Sequence, residues 1–158
     1  SMSNNSVHAE IYERTNVTGS PSIAMGGQSS STRSIAVQTR TTGDVVTADA
    51  NSNAATYTLP AATSVGLTQF GRNGALTTDA YGAKNGVTMT RTIAPSGVGA
   101  SLPAFAPLVG ALALGATPSF YKASAYGYVA MGAALSAAQR LARYTNVQAW
   151  ATSVGANV

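Results

Sequence analysis

The chain has 158 residues, the length of one domain, and a chain of this size buries roughly 70% of its unfolded surface without covalent staples. It contains no cysteine, which excludes disulfides and thiolate metal sites. Charged residues make up only 9% of the sequence, against about 25% in ordinary soluble domains. The net charge of +4 is the balance of nine Lys and Arg against five Asp and Glu, the bases scattered rather than forming the clustered patch of a strong nucleic-acid binder.

The low charge content carries most of the functional reading. Burying a hydroxyl that finds a partner costs far less than burying a charge. A surface of Thr, Ser and Ala therefore suits a protein covered by neighbours, whereas a free monomer keeps its surface charged. A secreted or low-complexity surface protein with few charges is the plainer alternative.

Taken in chain order, residues 1–32 are rich in Ser, Asn, Gly and Thr and read as an extended N-terminal arm with a short strand near Val7–Tyr12. The opening residues are polar and show no apolar signal-peptide core. Residues 33–95 read as an antiparallel sheet, a meander of about six strands. Ile35, Val37 and Thr39 alternate with polar neighbours, and the turn Thr42-Gly43-Asp44 leads into Val45–Ala48. A turn at Asp49–Asn53 precedes Ala55, Tyr57 and Leu59 on one strand face, ended by Pro60. Asn73-Gly74 and Asn85-Gly86 each sit between strand-like segments, and Asn-Gly suits a type I′ hairpin because both central residues need φ > 0. They predict strands at about 64–71, 75–83 and 87–94, the last with Val87, Met89, Arg91 and Ile93 alternating with threonines.

Residues 96–145 read as a two-helix segment. The first helix falls within 103–114, and Thr117-Pro118 looks like the start of a second running to about 144. On the second, Ala130, Ala134, Ala138 and Ala142 form an i, i+4 stripe that permits close approach of another element, and Arg140 and Arg143 lie in the expected last turn. Residues 146–158 form an uncharged C-terminal tail that carries Trp150. The expected fold class is therefore α+β, one domain overall: an antiparallel meander followed by two C-terminal helices.

No catalytic, cofactor or metal site is expected. The five carboxylates are Glu10, Glu13, Asp44, Asp49 and Asp79. Glu10 and Glu13 lie in the arm, while Asp44 and Asp49 suit turns. The single histidine, His8, sits near the terminus, a poor place from which to recruit a Ser-His-Asp site. Asp49–Asn53 resembles the opening of a calcium loop, but Ala54 stands where Gly is needed and Pro60 where a bidentate Glu belongs. No charge occurs from Thr92 to Tyr121 or from Ala123 to Gln139, but four prolines and the dominance of Ala and Gly argue against two membrane spans. The basic residues Arg33, Arg40, Arg72, Lys84 and Arg91 fall in or beside the meander. An arginine on an apolar strand face usually snorkels at a core edge. The alternative is a sheet face that meets phosphate.

The element order in a small, cysteine-free, charge-poor chain resembles that of the coat proteins of small single-stranded RNA bacteriophages, over roughly residues 33–145. The resemblance implies a dimer with one continuous sheet, helices that clasp the partner, and an inner sheet face against RNA. Ala130, Ala134, Ala138 and Ala142 would then lie at the subunit interface, and Arg33, Arg40, Arg72, Lys84 and Arg91 would supply the nucleic-acid contacts. The expected function is a virion structural protein: a self-assembling coat subunit, put together in the host cytoplasm, whose partners are itself and viral RNA. The alternatives are a phage decoration or tail-fibre component that binds protein or glycan, and a small membrane-associated protein.

Overall fold

The computed structural model describes residues 1–19, 23–30, 33–51, 57–90, 98, 101–104 and 106–156. The protein is mostly β, with one helix at the C-terminal end. Its strands are β1 (Ser6–Glu13), β2 (Met25–Ser30), β3 (Arg33–Gln38), β4 (Val45–Ala50), β5 (Tyr57–Pro60), β6 (Gly66–Asn73), β7 (Ala80–Lys84) and β8 (Val87–Thr88), then β9 (Leu108–Val109), β10 (Leu112–Leu114), β11 (Thr117–Ser119) and β12 (Tyr126–Gly132). Helix α1 spans Ala137–Ser153.

Two sheets share these strands. One has the order β12-β1-β6-β7-β8 and is antiparallel throughout. The other runs β11-β10-β2-β3-β4-β5, with β9 beside β2 and a parallel pairing of β10 with β2. The expected meander is present in part and is divided between the sheets: β3, β4 and β5 lie in one, and β6, β7 and β8 in the other. The strand expected at 75–83 begins only at Ala80, and that expected at 87–94 is strand at Val87–Thr88, with 91–94 outside the described residues. Asp49 lies in β4 rather than in a turn.

Period-2 alternation in β1 explains the layering. Val7, Ala9 and Ile11 join Met25, Ile35, Val37, Val46, Ala48 and Phe70 in one core between the two sheets. His8, Glu10 and Tyr12 point the other way, where Tyr12 and Leu67 meet Val147 and Ala151 of α1. The order of layers is therefore sheet, sheet, helix. A buried clamp also fastens the sheets: Lys122 Nζ lies 2.9 Å from Glu13 Oε1 at the end of β1 and donates to Thr39 just past β3.

Three expectations fail here for identifiable reasons. The supposed arm over 1–32 contains β1, paired on both sides by β12 and β6, and β2, paired with β3 and β10. The strand expected near Val7–Tyr12 is thus present as β1, but its polar residues concealed that it is central, because both its faces are covered and the second face is built from polar groups. The helix expected within 103–114 is instead β9 and β10, with Gly110 at φ 76° between them. A short apolar run does not by itself distinguish helix from strand. The long helix from 118 to 144 is replaced by β11, β12 and only the first half of α1, which extends through Trp150 into the expected tail. Gly127 and Gly132, with Tyr126, Tyr128 and Val129, weaken helix and favour strand in that stretch.

The helix starts where its cap dictates. The Ser136 hydroxyl accepts from the Gln139 backbone N–H, and the Gln139 side chain accepts from the Ser136 N–H, a reciprocal capping box. Ser136→Ala is expected to lower stability by about 1 kcal/mol, measurable by chemical denaturation.

At the turn Asn85-Gly86 both residues have positive φ, 49° and 79°, as the hairpin expectation required. Asn73-Gly74 does not form a two-residue hairpin. Only Gly74 has positive φ, and a 3-10 turn at Thr77–Asp79 completes the connection.

Candidate functional site

The cations expected to meet nucleic acid are not gathered on one face. Arg33 is exposed on β3. Arg40 is half-buried and bound to Asp44 at 2.7 Å and to Asn16. Arg72 is fully buried between the sheets, donating to the carbonyls of Ala50 and Gly74. Lys84 is also buried and donates to the Ser64 carbonyl and the Thr68 hydroxyl. Burial pushes its ammonium pKa down to about 8. Arg91 lies outside the described residues. Arg72 and Lys84 thus hold the fold together and have no surface to offer a phosphate. Arg72→Leu is expected to cost about 3 kcal/mol of stability, because it strands buried carbonyls. Denaturant titration reads that loss.

The alanine stripe is likewise dispersed: Ala130 lies on β12, Ala134 in the loop after it, and only Ala138 and Ala142 on the exposed face of α1. Of the four, Ala130 occupies the most informative position, because β12 is an edge.

Edge strands present unpaired backbone groups, and monomers blunt them with charge, proline or brevity. Three of the four edges here are blunted. β8 is two residues long, β5 ends in Pro60, and β11 contains Pro118. β12 has seven residues, Tyr-Gly-Tyr-Val-Ala-Met-Gly, with no charge and no proline, and among the described residues it pairs on one side only, with β1. Hydrogen bonding fixes which groups it offers. Gly74 N–H donates to the Asn5 carbonyl, and Arg14 N–H to that of Ala125. Odd residues of β1 therefore bond toward β6 and even residues toward β12. His8, Glu10 and Tyr12 thus face Gly132, Ala130 and Tyr128 as bonded pairs, which leaves the N–H and C=O groups of Val129 and Met131 directed outward.

Beneath α1 lies a buried polar cluster. Glu10 is 0% exposed. Its Oε2 accepts from Gln69 at 2.9 Å and meets His8 Nε2 at 3.1 Å, while Oε1 accepts from the Tyr128 hydroxyl at 2.6 Å and from Arg143 Nε at 3.0 Å. Burial alone would raise the Glu10 pKa. Hydrogen bonds from His8, Tyr128 and Gln69, and the His8 charge, outweigh it and hold the carboxyl below its ordinary value. Burial, with the Glu10 carboxylate beside it, pushes the Tyr128 hydroxyl up to about 12. His8 Nδ1 meets the Tyr81 hydroxyl at 3.0 Å, and that oxygen accepts from the Leu135 N–H. Arg140 lies over the Tyr81 ring, 3.9 Å from its centre. The cluster therefore docks the helix through its first turns.

Next to it, a cleft of about 310 Å³ opens between α1 and β12, lined by Tyr128, Arg143, Asn146, Val147 and Trp150. The four helical residues follow i, i+3, i+4, i+7, a single face. That spacing was visible in the sequence, but a helix ending at 144 concealed it. Arg14 was also overlooked. It is exposed at the end of β1, and among the described residues it has no ion-pair partner.

Among the described residues no group of three His, Asp or Glu side chains is placed to hold a metal ion, and no helix is long and apolar enough to cross a membrane. Comparison with protein-family models, curated proteins and solved structures gave no match.

Proposed function

We propose that this protein is a structural subunit that assembles with copies of itself, and that the assembly is the nucleic-acid-enclosing coat of a virion. The observation that carries the reading is the β12 edge. Among the described residues, a seven-residue strand without charge or proline, beside three blunted edges, is left open to receive a strand. A second copy of β12 fits it by symmetry: antiparallel pairing about a two-fold axis at Ala130 sets the outward groups of Val129 against those of Met131 in the other copy. Exposed apolar side chains elsewhere, among them Leu76, Val87, Val109, Tyr121 and Leu141, provide further contact surface, and the 9% charge content keeps desolvation inexpensive. The work of such a protein is geometric and needs no catalytic group.

Size-exclusion chromatography with light scattering tests this on untagged protein. The expected result is a dimer at low concentration that grows into larger particles as concentration rises. A monomer at every concentration would overturn the proposal.

A further inference from the structure

We propose that the cleft between α1 and β12 binds single-stranded nucleic acid, stacking a base on Trp150 and holding its phosphates with Arg14 and Arg143. This inference rests on the reading of the chain as a coat subunit and moves the nucleic-acid contact from the meander cations to the helix side of the other sheet.

Three observations converge on it. The first is the platform. Trp150 is the chain's one tryptophan and is 41% exposed, although a Trp with no ligand to meet is normally covered. Its position is set by Gly127, where an added Cβ would lie 3.3 Å from Trp150 Cη2 and 3.4 Å from Arg14 Cδ. The missing side chain lets the indole and the Arg14 stem lie together against β12, while Tyr128 adds a second aromatic wall to the same cleft. Second, the charge suits phosphate. Arg14 carries no counter-ion among the described residues, and Arg143 is pinned through Nε to Glu10, which aims the guanidinium while its other nitrogens have no partner among the described residues. No carboxylate lines the cleft, and the one beneath it, Glu10, is out of solvent. Third, α1 contains no acidic residue at all, and Arg140 adds a further positive charge on the same side.

Aromatic faces flanked by arginines are the recurring means of holding a single strand without reading its sequence. A neutral glycan would use the indole but gains nothing from two arginines. Strand addition at the β12 edge extends the sheet in its own plane and leaves the face that carries the cleft in place.

The test uses Trp150 as its own reporter. Full-length protein is titrated with a short uridylate homopolymer and, separately, with a neutral oligosaccharide. The expected result is quenching of Trp150 fluorescence by the homopolymer alone. Two phosphate contacts give a slope of about −1.4 in log affinity against log salt, so binding should weaken about sevenfold between about 50 and 200 mM salt. By anisotropy of a labelled homopolymer, Arg14→Gln should lower affinity several-fold and halve the slope, and Trp150→Leu should lower it about tenfold. Unfolding midpoints confirm that both variants fold, and Arg14, being exposed, keeps the test valid if the Trp150 variant does not. Absence of quenching, quenching by the oligosaccharide instead, or unchanged affinity in Arg14→Gln would each overturn the proposal. Light scattering on the same samples separates the two readings: particles that form without binding homopolymer count against this site alone, and a monomer that binds it counts against assembly alone.

Discussion

Ala130→Lys is expected to abolish assembly while leaving the fold intact. Ala130 lies on β12 opposite Glu10, on the helix side of the sheet, and is half-buried. A lysine there reproduces the device by which natural monomers protect an open edge. In the unassembled chain its stem lies along the sheet and its ammonium reaches water beside Arg143, so the fold loses little. In a paired dimer two such lysines would stand opposite each other at the two-fold axis, and like charges juxtaposed across an interface cost several kcal/mol. That is enough to weaken association by about a thousandfold or more. Light scattering should find a monomer at concentrations where the parent protein is larger, with an unchanged far-ultraviolet circular dichroism spectrum. A variant that still assembles would show that β12 is not the contact.

Replacing Glu10 should have the largest effect on stability. Its carboxylate satisfies His8, Gln69, Tyr128 and Arg143 at once, in a site closed to water. Glu10→Ala removes one shared acceptor and leaves buried donors unpaired, a change of about 3–5 kcal/mol. The pH dependence follows from the depressed pKa. Below the ordinary value of 4.5 the unfolded chain binds a proton at Glu10 that the folded chain resists. Stability is therefore complete above about pH 4.5 and is shed as pH falls below it, toward the folded-state value. Denaturation curves across that range should show the loss in the parent protein and a shallower acid limb in Glu10→Ala. Because the cluster anchors α1, helix content and the environment of Trp150 should change together.

The strands of the expected meander were legible because their turns are written in residues that allow little else. Asn85-Gly86 and the alternation through Ile35 and Val37 fixed local geometry. What could not be read was which strands share a sheet, since that depends on partners far away in sequence. β1 is the clearest example. His8 and Glu10 look like the residues of a solvated arm until Gln69, Tyr128 and Arg143 arrive from three other elements to satisfy them. Alanine misled in a related way. The spacing from Ala130 to Ala142 fits a helix, yet Gly127, Tyr128 and Val129 commit the first part to a strand, and Ser136 with Gln139 mark the true start of α1. Charge was the other error, because Arg72 and Lys84 were read as surface groups when their partners are backbone carbonyls inside the molecule. At the site proposed here, the face formed by Arg143, Asn146, Val147 and Trp150 could be read from spacing alone once the helix was correctly placed, whereas Arg14 needed the pairing of β1 with β12 to join them.

Amide hydrogen exchange on β12 tests the central claim most directly. The N–H groups of Val129 and Met131 point away from β1 and have no partner among the described residues, so in dilute monomer they should exchange rapidly. Under assembling conditions both should become protected, while neighbours already bonded to β1, such as Ala130, change little. Protection confined to the outward amides would identify the edge as the pairing surface. Particles in which Val129 and Met131 still exchange as fast as in the monomer would contradict it.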